Sequence, residues 1–223
     1  MVDDQIVRDH LTIEQKDVNN LNFEIMKKIF SLMIATVAMF TMNAQQKVGE
    51  YTNSYFSKTF SIEAAEKNNK IKDVYIGVLT DLDFRKAYIS VEGEDLELFK
   101  NALELARDKF SEWKKIAKDN NITEMRKEMG IDFPEVAVAW LYGGEWEFSF
   151  DNKINLAFLI LDDGQMVAAW APTVTSSSNR YIDLKIYFAF ADEKDFDDII
   201  NQLDGQRILN ELLKNKNRSD LFH

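Results

Sequence analysis

The apolar positions between residues 96 and 117 recur at alternating steps of three and four residues. This spacing follows the 3.6-residue turn of an α-helix and places the apolar side chains on one face. Charged residues such as Lys100, Glu104 and Asp108 fall on the opposite face. Because about three heptads are short for a coiled coil, the pattern predicts one long helix that packs on a sheet and ends near Asn120. Its buried stripe is Leu96, Phe99, Leu103, Ala106, Phe110, Trp113 and Ala117.

Short apolar runs on either side of this helix, separated by turn sequences, predict β-strands. The turns "GG", "DNK" and "DDG" are typical of hairpins. The runs are "DVYIGVLT", "KAYISVEG", Val136–Tyr142, Glu145–Phe150, Ile154–Leu161, Met166–Ala171 and Tyr181–Phe190.

The other segments are predicted to be irregular or helical. Residues 45–70 are polar with scattered aromatic residues and are predicted to form a loose arm or a short first helix. Thr123 is placed to cap a brief helix through Met129. Two helical runs, Asp192–Leu203 and Gln206–Lys214, close the chain. We therefore expect a single α+β domain over residues 71–223, with a predominantly antiparallel twisted sheet of about six or seven strands. The long amphipathic helix packs on one face, and the short helices lie at the C-terminal end.

The most apolar stretch of the chain is "MKKIFSLMIATVAMFTMNAQQ", which begins at Met26. Its lysine pair, apolar segment Ile29–Met42 and small residue Ala44 have the layout of a secretory signal peptide. A helix over the apolar segment is roughly 21 Å long, which is short for a ~30 Å hydrocarbon core. We therefore predict a Sec-type signal over residues 26–44 and no stable membrane anchor after its cleavage. A membrane anchor and a buried core helix are the alternatives.

Residues 1–25, which precede this run, show no sustained helical or strand period. Because a signal peptide acts from the amino terminus, we expect translation to begin at Met26 and residues 1–25 to be an upstream extension. The mature chain then begins at Gln45 and resides in the periplasm, at the cell surface or outside the cell.

Composition excludes several classes of chemistry. The chain has no cysteine, which rules out disulfides, thiolate metal ligands and a thiol nucleophile. Its two histidines are His10, in the predicted extension, and His223, the last residue, so histidine-based catalysis and zinc sites are disfavoured. With 38 acidic and 27 basic residues the formal charge is −11, which argues against a nucleic-acid partner. No cofactor is predicted.

Three segments carry a resemblance: "FKNALELARDKFSEWKKIAKDNNIT", "EVAVAWLYGGEWEFSF" and "SSSNRYIDLKIYFAF". Together with the "NAQ" ending of the signal, they resemble parts of small Sec-exported proteins of Bacteroidota. No activity is known for those proteins, so the resemblance implies export and no functional residue.

The hairpin around Gly143–Gly144 permits a prediction of its two faces. A two-residue turn pairs Tyr142 with Glu145 and sets Ala137, Ala139 and Leu141 against Trp146, Phe148 and Phe150. Small residues opposite large ones favour this face as the one that receives the long helix. The other face would then present a platform for a sugar or a peptide, with flat rings beside carboxylate acceptors. The predicted ligand-binding residues are Trp140, Tyr142, Trp170, Glu145 and Glu147.

Two alternatives to an open platform remain. Residues 45–70 or the C-terminal helices would make these aromatic side chains a second core layer if they covered the face. A three-residue turn around Gly164, in place of the two-residue turn Asp163–Gly164, would move Trp170 to the core.

Carboxylates are the remaining candidates for catalysis. Glu145 and Glu147 are the alternative catalytic pair, of the kind that glycosidases use. Asp81 with Asp83, and Asp162 with Asp163, are candidates for the same role or for Ca²⁺, but turns favour such residues without any ligand. The run "ADEKDFDDII" is explained by helix capping at Asp192, and "TVTSSSN" by a flexible loop without a partner base.

The function predicted from these observations is a non-enzymatic exported binding module. Its partner would be a protein or a glycan of the envelope or the extracellular space. A carboxylate-dependent hydrolase is the alternative, and it would require two acids that converge in a pocket. A purely structural or inhibitory protein is a third possibility.

Overall fold

A computed structural model describes residues 45–82 and 86–220, with side chains described through residue 215. The predicted extension and signal peptide, and Asp83, lie outside these residues. None of the helices within them is long and apolar enough to cross a membrane. The strands are β1 (Gln46–Asn53), β2 (Lys58–Lys67), β3 (Lys70–Thr80), β4 (Ala87–Glu92), β5 (Met125–Glu128), β6 (Val136–Tyr142), β7 (Glu145–Asn152), β8 (Ala157–Ile160), β9 (Met166–Trp170), β10 (Thr173–Thr175) and β11 (Asp183–Phe190). The helices are α1 (Leu96–Asp119), α2 (Glu193–Gln202) and α3 (Gly205–Asp220).

The predicted α+β class is confirmed, but the sheet has eleven strands rather than six or seven. All seven predicted runs contain a strand. Residues 45–70 form β1 and β2, so the prediction of a loose arm or helix is wrong there. The brief helix predicted after Thr123 is also wrong, since β5 occupies that segment. Strands β1 and β5 are polar and lack a regular alternation of apolar and polar residues. The sequence pattern therefore did not identify them as strands.

All strand pairings are antiparallel, and the main path runs β5-β8-β9-β11-β3-β4-β6-β7. Off this path, β2 pairs with both β1 and β3, and β10 pairs with β11. The sheet forks along β3. Its pairing with β2 runs from Lys70 to Ile76, whereas Leu79 and Thr80 pair with β11.

Gly77 lies at this fork, where β2 leaves β3. A Cβ atom at this position would lie 3.0 Å from the carbonyl oxygen of Ser61, so a side chain would push the two strands apart. The Tyr51 hydroxyl donates to the Gly77 carbonyl at 2.7 Å and ties β1 to the fork. Burial raises the pKa of Tyr51 well above its ordinary value, and the nearby Asp195 carboxylate adds to the rise.

The helices pack on one face of the sheet, which we call the inner face. It is marked by Ile62 on β2, Ile76 on β3, Ile89 on β4 and Val138 on β6, all fully buried. These residues share one core with the apolar stripe of α1 and with the buried sides of α2 and α3. The predicted stripe is confirmed, with only Trp113 partly exposed.

The N-terminus of α2 joins the helix layer to the first hairpin. The Asp192 side chain accepts a hydrogen bond from the Lys194 backbone N–H, which confirms the predicted cap. Asp195, 2% exposed, accepts from the backbone N–H and the hydroxyl of Ser54 at 2.8 and 2.9 Å and from the Ala191 N–H at 3.1 Å. This buried carboxylate therefore positions the β1–β2 turn.

Candidate functional site

The residues predicted to form a platform do not share one open surface. Trp140 is fully buried, Trp170 is 6% exposed, and both belong to the main core. The prediction of an exposed face around Trp140 is therefore wrong. The backbone N–H of Leu161 donates to the Gln165 carbonyl at 2.9 Å, so the turn between β8 and β9 has three residues. The three-residue alternative is therefore correct for this turn. Trp170 joins the core that contains Trp140 because it lies opposite the buried Phe188 on β11.

The pairing of β6 with β4 explains the position of Trp140. Ala87 lies opposite Trp140 and Ile89 lies opposite Val138, so these residues continue the inner face beneath the helices. The hairpin register is as predicted near the left-handed Gly143–Gly144 turn, where Tyr142 lies opposite Glu145. The register shifts between Val136 and Val138, so the predicted pairing of Ala137 with Phe150 is wrong. The two faces of the hairpin were nevertheless assigned the wrong way round.

The other predicted residues lie near the hairpin end. Tyr142 is 40% exposed and Glu145 is exposed. Glu147 is half-buried and accepts hydrogen bonds from the hydroxyls of Ser176 at 2.5 Å and Ser178 at 2.8 Å. The structure therefore places Glu147 with the serine loop that follows β10 and not with Trp170.

This serine loop is organised, in contrast to the flexible loop predicted for "TVTSSSN". The Ser176 hydroxyl accepts from the backbone N–H groups of Ser178 and Asn179 at 3.1 and 3.2 Å. The Ser177 N–H donates to the Phe148 carbonyl at 2.7 Å and fastens the loop to the edge of β7. Ser176 is 5% exposed and saturated with hydrogen bonds, which is the pattern of a structural hydroxyl.

The opposite side of the sheet, the outer face, carries a row of aromatic side chains that are absent from the main core. Phe150 is 39% exposed, Trp146 and Phe148 are half-buried, and Tyr75 and Tyr88 are buried beside them. The buried Ala65 belongs to the same small cluster on this side. We call Tyr75, Tyr88, Trp146, Phe148 and Phe150 the aromatic face.

Ring contacts join Phe148 to Phe150 along β7, and join Trp146 to the two tyrosines across the sheet. The ring centroids of Phe148 and Phe150 are 6.1 Å apart, and their planes differ by 6°. Trp146 lies 6.0 Å from Tyr88, which in turn lies 6.4 Å from Tyr75. The buried tyrosines therefore support the half-exposed rings of β7.

Carboxylates border the aromatic face. The Tyr88 hydroxyl donates to Glu63 at 2.7 Å, and the Ser61 hydroxyl donates to the same carboxylate at 3.1 Å. Burial, reinforced by the hydrogen bond to Glu63, raises the pKa of Tyr88 to about 12. Asp73 accepts from the Tyr75 hydroxyl at 3.4 Å and forms an ion pair with Lys72 at 3.2 Å.

A groove of about 220 Å³ adjoins the aromatic face at the fork of the sheet. Its lining includes Phe60 from β2, Gly77 from β3 and Tyr88 from β4. Tyr88 is therefore the residue that the groove and the aromatic face share.

Among the remaining carboxylate candidates, Asp163 has a structural role. The Asp163 side chain accepts from the Gln165 N–H at 2.9 Å within the β8–β9 turn. Within residues 45–82 and 86–220, no three or more His, Asp and Glu side chains are grouped to hold a metal ion. Neither Glu145 nor Glu147 lines the groove at the fork or the cavities beside Gly93 and Asp162.

Sequence reasoning missed the contribution of Tyr75, Tyr88 and Glu63 to the outer face. The signal was present for the tyrosines. Tyr75 alternates with the aliphatic residues of "DVYIGVLT", and Tyr88 alternates with those of "KAYISVEG". Glu63 lies in a segment that was not predicted as a strand, so its side-chain direction was not considered.

The sequence matches no known protein-family profile and no curated protein, and the fold matches no solved structure.

Proposed function

We propose that this protein is a non-enzymatic exported binding module that engages a protein or glycan partner on its aromatic face. The observation that carries the proposal is the asymmetry of the sheet. The helices pack on the inner face, whereas the outer face presents half-exposed rings beside carboxylates.

Half-exposed aromatic side chains next to acceptors suit recognition. Large rings bury much apolar area on binding and lose little conformational entropy, and carboxylates orient the polar groups of the partner. Trp146, Phe148 and Phe150 retain accessible ring area. Glu63 is held in place by two hydroxyl donors, so it is preorganised as an acceptor.

Export is supported by the lysine pair and the apolar run that follow Met26. We propose that the mature chain works in the periplasm, at the cell surface or outside the cell. Sequencing the amino terminus of the protein recovered from cell fractions tests this. Cleavage before Gln45 and absence from the cytoplasmic fraction are expected, and an uncleaved chain in the cytoplasm would contradict it.

The alternative of a carboxylate-dependent hydrolase receives less support. Glu147 already accepts two serine hydroxyls, and Glu145 lies at the exposed hairpin end. A hydrolase needs two acids converging on a pocket that shields the reaction from water. Assays of Glu145→Gln and Glu147→Gln against glycoside substrates should therefore show no activity that depends on either residue.

The binding proposal is tested by affinity capture from a native envelope extract. Purified wild-type protein, the Phe150→Ala variant and the Tyr181→Ala variant are immobilised in parallel, and bound proteins and glycans are both identified. Tyr181 is a matched control because it is 79% exposed on the loop before β11. A component retained by wild type and by Tyr181→Ala, but lost with Phe150→Ala, supports the proposal. Identical capture by all three proteins contradicts it.

A further inference from the structure

We infer that the partner on the aromatic face is a neutral glycan chain lying along β7. This inference rests on the proposed function and adds the chemical class of the ligand. It depends on three observations: the row of aromatic rings on β7, the charge of the outer face, and the hydrogen bonds that already occupy the edge of β7.

The rings of β7 form a line rather than a pocket. Trp146, Phe148 and Phe150 occupy every second position of one strand, which spaces their Cα atoms by about 6.8 Å. The rings of Phe148 and Phe150 have nearly parallel planes, which differ by 6°. Flat apolar surfaces repeated along a line match a polymer of flat units with apolar faces, and pyranose rings present such faces through their axial C–H groups.

The charge of the outer face favours a neutral polymer. Glu63, Asp73 and Glu92 occupy outer positions of β2, β3 and β4, as shown by the pairing of Glu63 with Tyr75 and of Asp73 with Glu92. Lys72 pairs with Asp73, and Lys58 and Lys86 lie in the adjoining groove. In a chain of net charge −11 this face has no basic excess to attract a polyanion. Carboxylates accept hydrogen bonds from sugar hydroxyls instead.

An extended peptide is the competing ligand for such a strand, and its usual mode is strand addition at a sheet edge. That mode is obstructed on β7. The Phe148 carbonyl already accepts from the Ser177 N–H, and Ser176 and Ser178 fasten the same loop through Glu147. A peptide strand would have to displace this loop, whereas a glycan stacked on the rings would not.

Native affinity electrophoresis of the purified protein tests the inference. The gels contain arabinoxylan, mixed-linkage β-glucan or galactomannan as neutral polymers, alginate as a polyanion, or poly-L-lysine as a cationic peptide. We expect at least one neutral polymer to retard the protein. Phe150→Ala and Trp146→Ala should each weaken that retardation about tenfold, with Tyr181→Ala unchanged. Circular dichroism verifies that each variant is folded, and the more exposed Phe150 gives a second variant if Trp146→Ala is unstable.

The outcomes separate the inference from the proposed function. Retardation only by alginate or poly-L-lysine, with loss in Phe150→Ala, overturns the neutral glycan and leaves a binding face. Retardation by a neutral polymer that neither variant changes overturns the location. If no polymer retards the protein while envelope capture still depends on Phe150, the partner is a protein and the glycan is wrong. If capture is also insensitive to Phe150, both proposals fail.

Discussion

The two faces of the sheet carry aromatic residues of similar size but bury them differently. On the inner face, Trp140 lies among aliphatic residues beneath the helices and is fully buried. On the outer face, Trp146 packs against the small cluster of Ala65, Tyr75 and Tyr88 and stays half-exposed. The two tryptophans are on neighbouring strands and differ in which layer faces them. An aromatic residue in a strand therefore joins the main core only when the helix layer covers its face. On the outer face, burial comes from neighbouring side chains and reaches Tyr75 and Tyr88 but not Trp146.

Polar contacts differ between the faces in the same way. On the helix side, the Asp195 carboxylate is buried and saturated with three hydrogen bonds from the chain. On the outer face, the Glu63 carboxylate is half-buried and accepts two hydroxyl donors. The first arrangement serves stability alone, whereas the second leaves an acceptor at the edge of an accessible surface.

The largest effect is expected from truncating the two tryptophans. Trp140→Ala leaves a cavity in the main core and should lower the free energy of unfolding by about 3–5 kcal/mol. Trp146→Ala removes a half-exposed ring and should cost about 1–2 kcal/mol. Urea unfolding of both variants measures the difference. Equal costs would mean that the two faces are equally covered and would refute the comparison.

The next effect concerns the buried carboxylate. Asp195→Ala leaves the N–H groups of Ser54 and Ala191 without their acceptor and should cost about 2–3 kcal/mol. Glu63→Ala, its counterpart on the outer face, should cost about 1 kcal/mol because water can replace the lost acceptor. Thermal unfolding of both variants tests this order. A larger loss of stability for Glu63→Ala than for Asp195→Ala would show that the outer face excludes water.

Most of the regular elements followed from local pattern, because helix and hairpin signals lie within short stretches. The α1 stripe and the Gly143–Gly144 turn were both confirmed in this way. The choice of core face depends instead on contacts between distant segments. Ala87 and Ile89 determine the environment of Trp140 and Val138, about 50 residues further along the chain. The hairpin alternates aromatic residues on both faces, so its own pattern does not distinguish them.

The missed strands have several causes. Residues 125–128 read "MRKE", which carries little apolar content, and the segment becomes a strand because β8 offers its edge. The prediction of β1 and β2 failed for different reasons. The pattern of β1 is interrupted by a register shift between Lys47 and Gly49, whereas the alternation of Phe60, Ile62 and Ala64 in β2 was present and was overlooked. The candidate site was therefore predicted in the wrong place. The outer face includes residues of β2, β3 and β4 as well as the hairpin, and β2 had not been predicted as a strand.

A smaller effect is expected at the Tyr88–Glu63 contact. Tyr88→Phe removes one hydrogen bond and should lower the free energy of unfolding by about 1 kcal/mol at neutral pH. The pKa of Tyr88 is raised to about 12, above the ordinary value of about 10. The folded state therefore favours the protonated phenol. This stabilisation is complete below pH ~10 and is lost as the pH rises from there through about 12.

Unfolding free energies of wild type and Tyr88→Phe at pH 8 and at pH 11 measure this effect, with Tyr181→Phe as a control for an exposed phenol. The wild type should lose more stability than Tyr88→Phe between the two pH values. Absorbance at 295 nm should show one late-titrating tyrosine fewer in the variant. A Tyr88 that ionises together with Tyr181 would show that the outer cluster is open to water.

The smallest effect on stability is expected where the effect on binding is greatest. Phe150 is 39% exposed at the end of the aromatic face, so Phe150→Ala should lower the free energy of unfolding by less than about 1 kcal/mol. Its partner affinity should nevertheless fall about tenfold, because the ring area lost is the area a ligand would cover. Trp140→Ala should show the reverse behaviour: a large loss of stability, and unchanged affinity in whatever fraction stays folded. Parallel unfolding and binding measurements on the two variants decide the point. If Phe150→Ala loses stability and affinity in proportion, the outer face is a second core and not a binding surface.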